Sequence, residues 1–216
     1  MKRMMIYLAG AILLATGLTL NTKAGLGVSP IISVAFSISE IFNLNFGNVT
    51  LAYYALFILI EIILHAGNRK QQVMDLLQLP FSIVFTRFLN LFGAWIPDYS
   101  ESSVLIRSIV LLGAIVLTGI GAAMMLDTHL VPNPGDGVVK AIADKVHKTV
   151  GLTKNIVDCF CILLTITLSL LLTGRIIGIG VGTIIAMIGV GRVISAYQSI
   201  CKKVGNHQKE MECTLD

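Results

Sequence analysis

The sequence predicts an all-α membrane protein: six transmembrane helices arranged as two inverted three-helix repeats, each with a short re-entrant or interfacial helix after its first span. Three observations predict it. Of 216 residues, 55% are hydrophobic and only 13% are charged, about half the charge that a soluble domain spreads over its surface. Six apolar runs are long enough to cross a bilayer, which takes roughly 17–25 residues. The two halves of the chain also present the same parts in the same order.

The first run, Met4–Leu20, follows Met1-Lys2-Arg3 and imitates a signal peptide. Thr22-Lys23-Ala24 is a poor cleavage site and more apolar runs follow, so it is read as the first span. Val28–Phe42 is apolar but short, and it carries Glu40. Val49–Ala66, Leu76–Ile96 and Val104–Leu126 are the next spans. Gly137–Val150 then sets Val138, Val139, Ile142, Val146 and Val150 at helical spacing, with Lys140, Asp144, Lys145 and Lys148 between them. That pattern is an amphipathic helix, lying in an interface or packed on the bundle. Ile156–Leu172 and Ile176–Tyr197 complete the six. The whole chain reads as one transmembrane domain, with repeats over residues 4–96 and 104–198 and a tail over residues 199–216.

Lys and Arg set the orientation. With both termini cytoplasmic, 11 basic residues fall inside and three, Lys23, Arg107 and Arg175, fall outside. Both termini are therefore expected on the cytoplasmic side of a membrane crossed several times. The net charge of +4 follows from this bias, and no basic patch interleaved with aromatics points to nucleic acid.

The repeat is visible at an offset of 104, which lays Gly17 on Gly121, Pro30 on Pro134 and Gly47 on Gly151; one residue further, Arg87 falls on Arg192. An odd number of spans per half inverts the second half relative to the first. Inverted repeats recur in secondary transporters, with the substrate site near the midplane, and they occur in channels as well.

Two turns precede the short helices: Gly25-Leu26-Gly27-Val28-Ser29-Pro30 and Pro132-Asn133-Pro134-Gly135-Asp136-Gly137. Ser29 and Asp136 are candidate N-caps, and proline suits a first helical turn. Helix N-termini carry free N–H groups and partial positive charge, so they suit an anion. If the two helices dip inward from opposite faces, their N-termini meet near the middle. The alternative is a pair of ordinary loops capping surface helices.

Arg87 and Arg192 each sit about halfway along a predicted span, where an arginine is costly unless it faces the bundle interior or water. Both are expected to be buried. Guanidinium grips carboxylate, sulfonate or phosphate oxygens, so the pair is a candidate anion centre; equally, each arginine pairs with Glu61, Asp127 or Asp158. Glu61, close to the end of its helix, either snorkels or carries a proton in a coupled transporter. Asp158 lies near the expected start of the fifth span, where an acid meets the helix dipole.

Cys159, Cys161, Cys201 and Cys213 read as packing residues. No HExxH, nucleophile-elbow or phosphate-loop spacing occurs, so no enzyme activity, metal or cofactor is expected.

The stretch from Gly17 through Leu20–Ile31, with Val131–Gly137 and Gly174–Thr183, resembles the YczE/YyaS/YitT family of bacterial integral membrane proteins. The best of these motifs is Lys23-Ala24-Gly25-Leu26-Gly27-Val28-Ser29-Pro30; the second turn departs from the family's usual form at Asn133-Pro134. The resemblance implies a multi-pass protein of the cytoplasmic membrane, often described as a transporter, and supplies no substrate.

The resulting expectation is a secondary transporter of a small anionic or zwitterionic organic solute. Its candidate site residues are Arg87, Arg192, Gly27, Ser29, Pro30, Asn133, Pro134, Gly135, Asp136 and Gly137, with Glu61 as the proton carrier. The competing expectation is a non-transporting partner or scaffold subunit in the lipid bilayer, contacting another protein, or a second copy of itself, through Gly137–Val150 and the basic tail from Lys202.

Overall fold

A computed structural model describes residues 2–128 and 130–213, with side chains over residues 3–128 and 130–201. These residues form eight helices: α1 Lys2–Lys23, α2 Pro30–Ile41, α3 Phe46–Leu64, α4 Arg69–Trp95, α5 Val104–Asp127, α6 Pro134–Val146, α7 Val150–Thr173 and α8 Val181–Cys213. Six of them (α1, α3, α4, α5, α7 and the Val181–Cys201 part of α8) are long and apolar enough to cross a membrane. Large apolar side chains such as Leu59, Ile63, Phe160, Leu163 and Leu171 point outward, as a surface dissolved in lipid requires.

Several boundaries depart from the hydropathy reading because caps, not apolar runs, end helices. α4 starts at Arg69 rather than Leu76, since the Asn68 side chain accepts from the Gln71 amide. α7 starts at Val150 rather than Ile156, capped by Thr149. Val150 therefore belongs to α7, and the amphipathic segment ends at Val146, with His147 left-handed at φ 53°. α8 starts at Val181 rather than Ile176, because Gly178 breaks the chain at φ 83°.

Small residues allow the closest helix contacts. α1 and α5 lie antiparallel along a seam in which Gly17 faces Ala114 and Thr118, while Gly121 faces Gly10 and Leu14. α2 runs parallel to α7: Ser33 and Thr165 hydroxyls are 2.7 Å apart, and one turn on, Ser37 and Ser169 are also 2.7 Å apart. Side-chain hydroxyl pairs of this kind hold helices together where water is absent.

The turn before α2 is pinned twice. The Val28 amide donates to the Gly178 carbonyl at 2.8 Å, and the Gly182 amide donates to the Leu26 carbonyl at 2.7 Å. Gly27 has φ 106°, and a Cβ there would stand 2.5 Å from the Gly180 nitrogen, so only glycine fits. Arg107, one of the three predicted outer charges, donates to the Ala24 carbonyl at 3.0 Å and the Gly25 carbonyl at 2.5 Å. Arg107→Met is expected to lower the unfolding free energy by about 1.5–3 kcal/mol, the range for hydrogen bonds to a charged group. Thermal unfolding in detergent reads this directly.

Candidate functional site

The two turns meet. A Cβ on Gly135, second residue of α6, would stand 3.2 Å from Ile31 Cγ1, on the second residue of α2. Pro30 and Pro134 occupy first-turn positions, as read from the sequence. Ser29 stands at the N-cap of α2 without a side-chain capping bond. At α6 the N-cap is Asn133, not Asp136, which lies inside the first turn. Asn133 makes no capping bond either; its Nδ2 points to the Tyr54 hydroxyl at 3.4 Å. Around this junction Tyr54, Ile32, Val138 and Val139 are buried in one core cluster. The apolar face of α6 is thus packed into the bundle at Val138 and Val139.

The arginines are placed elsewhere. Arg87 and Arg192 are both exposed, contrary to the expected burial. Arg87 donates to Asn48 Oδ1 at 2.8 Å, at the first turn of α3. Among the described residues neither arginine is within ion-pairing distance of a carboxylate. Glu61 bonds to Gln78, Asp127 accepts from Gln198, and Asp158 pairs with Lys154. Hydropathy locates a residue along a helix but not the face it occupies, so mid-span position does not fix the burial of either arginine.

Glu61 does not snorkel. It is 1% exposed, accepting from Gln78 Nε2 at 2.6 Å, and it presses on the first turn of α6, where a Cβ at Gly137 would stand 2.6 Å from Oε2. Cys161 is buried beside Tyr53, 3.5 Å from its hydroxyl, whereas Cys159 and Cys201 are exposed and do not pack in the core.

Two cavities flank the α1–α4 contact. A small one of about 20 Å³, room for about one water, touches Tyr7, Gln78, Phe85, Asn133 and Pro134 at the N-terminus of α6. A larger one of about 490 Å³ opens at the end of the bundle where α1 and α4 finish; ligand sites commonly measure about 300–1,000 Å³. Its walls bring together Thr19, Lys23, Glu40, Asn45, Asn90 and Asp98. Asn90 also holds the Gly47 amide at 3.0 Å. Asp98 accepts from the Ser100 amide at 2.8 Å, and that bond, helped by nearby Lys23, holds its carboxyl below the ordinary range. The chamber therefore presents an ammonium and carboxylates together.

Leu89 lines the chamber and Phe85 lines the small cavity, one turn apart on α4; both are buried. No spacing in the sequence signals the chamber, because its polar residues come from separate elements. The nearest signal was the occurrence of Thr19 and Asn90 inside apolar runs.

These features define a multi-pass α-helical membrane protein. Residues 1–199 match a family of unknown function, DUF6198, and the chain belongs to it. It is 24% identical to the uncharacterized protein YyaS of Bacillus subtilis over 200 residues, covering 92% of this chain and 94% of that protein. This agrees with the family resemblance carried by the turn motifs. No solved structure matches the chain.

Proposed function

We propose that this protein is a secondary carrier for a small zwitterionic organic solute, which enters the chamber between α1, α2 and α4 and passes toward the N-terminus of α6. The observation that carries the reading is the pair of cavities along α1 and α4, one lined by Phe85 and the other by Leu89, buried side chains one turn apart on α4. In the orientation set by the Lys and Arg bias, the chamber faces outward. Lys23 receives the solute's carboxylate, and Glu40 and Asp98 receive its ammonium. Such a mixed lining favours a zwitterion over a simple anion.

The contacts between the halves support an inverted repeat. Adding 104 to one partner and subtracting it from the other turns Gly17–Thr118 into Gly121–Leu14, Gly17–Ala114 into Gly121–Gly10, and Ser33–Thr165 into Gly137–Glu61. The same operation maps Ile31–Gly135 onto itself, as a contact on a pseudo-two-fold axis would be. Two re-entrant helices meeting from opposite faces is the plan of several carriers. The halves differ in one respect: Gly47 is tight against α4, while Gly151 has open space around it. A carrier that exposes its site alternately to each side needs such an asymmetry.

The test is thermal unfolding of purified protein with a panel of amino-acid-like zwitterions and organic anions. A ligand at 100 times its Kd stabilises by about 2.7 kcal/mol. The expected result is stabilisation by zwitterions, lost in Lys23→Gln and retained in Arg192→Gln. Stabilisation by no solute, or an unchanged response in Lys23→Gln, rejects the chamber as the site.

One observation favours the scaffold reading instead. α8 rests mainly on α5, and Val181, Ile184, Ile185, Ile188 and Arg192 are uncovered. A charged residue in that exposed face calls for a neighbour, a second copy or another subunit. The basic tail from Lys202 lies outside the residues whose side chains are described.

A further inference from the structure

Glu61 and Gln78 are each 1% exposed, and each keeps one oxygen without a hydrogen-bond partner, Oε1 in both cases. Their one observed bond runs from Gln78 Nε2 to Glu61 Oε2 at 2.6 Å. An ionised carboxylate only accepts, so both of these buried oxygens stay unsatisfied. A proton on Glu61 Oε1 changes this: the new O–H donates to the amide oxygen of Gln78. The acid and the amide then form a ring closed by two hydrogen bonds, and one proton satisfies both orphaned atoms.

The surroundings fit a neutral acid. The Asp75 carboxyl abuts Glu61 and is held at 2.7 Å by His65 Nδ1. α6 contributes the backbone at Gly137, with the acid Asp136 next to it in the same first turn. Lys154 of α7 is engaged by Asp158. No cation among the described residues is placed against Glu61. His65 caps α3 beside the exposed α3–α4 turn, with 16% of its side chain accessible, so water reaches one end of the chain His65–Asp75–Glu61.

The geometry points to Glu61 and Gln78 as a proton-binding site, loaded and emptied through His65 and Asp75 from the α3–α4 turn. The proton comes from water at His65 and returns there. This deepens the carrier reading and rests on it for its role: at the first turn of α6, the bound proton is the coupling ion. Its release leaves a carboxylate at the first turn of α6, where the helix dipole favours negative charge, so the protonation of Glu61 and the seating of α6 are coupled.

The test is infrared spectroscopy of the lipid-reconstituted protein with isotope-labelled glutamate, at neutral pH and without solute. The expected result is a protonated-carboxyl carbonyl band in wild type, lost in Glu61→Gln, with deuterium exchange of that band slowed in His65→Leu. The near-isosteric Glu61→Gln variant is checked for folding by its thermal transition. No acid band in wild type, or a band that persists in Glu61→Gln, overturns the site; an unchanged exchange rate in His65→Leu overturns the route. Because no solute is present, these outcomes are independent of the solute-stabilisation test of the carrier itself.

Discussion

Gly17→Val and Gly121→Val should each abolish the yield of monodisperse, folded protein or lower its thermal midpoint far more than a substitution at a glycine with open space around it. At position 17 the first added carbon would stand 2.5 Å from the Thr118 amide nitrogen and 2.8 Å from the Ala114 carbonyl oxygen. At 121 it would stand 2.5 Å from the Leu14 nitrogen and 2.6 Å from the Gly10 carbonyl oxygen. The opposing atoms are mostly backbone, so no rotamer change relieves the clash, and two whole helices must separate. Overpacking a core by a methylene or two costs about 1–3 kcal/mol when side chains can yield; here they cannot. Gly113 on the same α5 meets nothing within 4 Å. Gly113→Ala should therefore be neutral or stabilising by up to about 1 kcal/mol, the helix-propensity difference. Equal midpoints for Gly17→Val and Gly113→Ala would show that the α1–α5 seam is not a close-packed contact.

That seam shows what the sequence discloses and what it withholds. Gly17 and Gly121 are legible as a repeated pair because glycine in an apolar run leaves a recognisable mark. The short helices are legible for a similar reason: proline and glycine punctuate the chain just before Pro30 and Pro134. The meeting of their first turns, Ile31 against Gly135, is what two short helices dipping inward from opposite faces would produce. Glu61 was legible as an acid in an apolar helix. Its partners were not, because Gln78 and Asp75 lie on α4, across a turn, and nothing in their spacing announces the contact.

Side-chain direction is the main loss. Arg87 sits on a helix whose inner face is marked by Gln78, Ser82, Phe85, Thr86 and Leu89. Residue 87 is out of phase with those positions, but the mixed polarity of that face hides its period. Arg107 reads in the sequence only as one of three outer charges, although it clamps the turn that launches α2. Such roles depend on carbonyls that the fold brings within reach, and carbonyls carry no sequence signature.

Asp158 carries the second large prediction. The sequence places it near a helix start, where the dipole would stabilise it. α7 begins at Val150, so Asp158 is well past the first turn and beyond that effect. It is 1% exposed, its Oδ1 has no partner, and its Oδ2 lies 3.5 Å from Lys154 Nζ, one turn earlier. Removing one member of a buried pair leaves an uncompensated charge and costs about 3–5 kcal/mol. Lys154→Met should approach that loss, reduced to the extent that the partly exposed lysine head is hydrated. Replacing both members, Lys154→Met with Asp158→Leu, should recover most of it, because a pair exchanged for apolar groups is commonly neutral or better. Thermal unfolding of the two single variants and the double variant in one detergent closes the cycle. Additive losses would mean that the two side chains act independently and that Asp158 is held by something other than Lys154. A recovered double variant would make the pair a local electrostatic unit inside α7, and would separate it from the Glu61 site on the neighbouring helices.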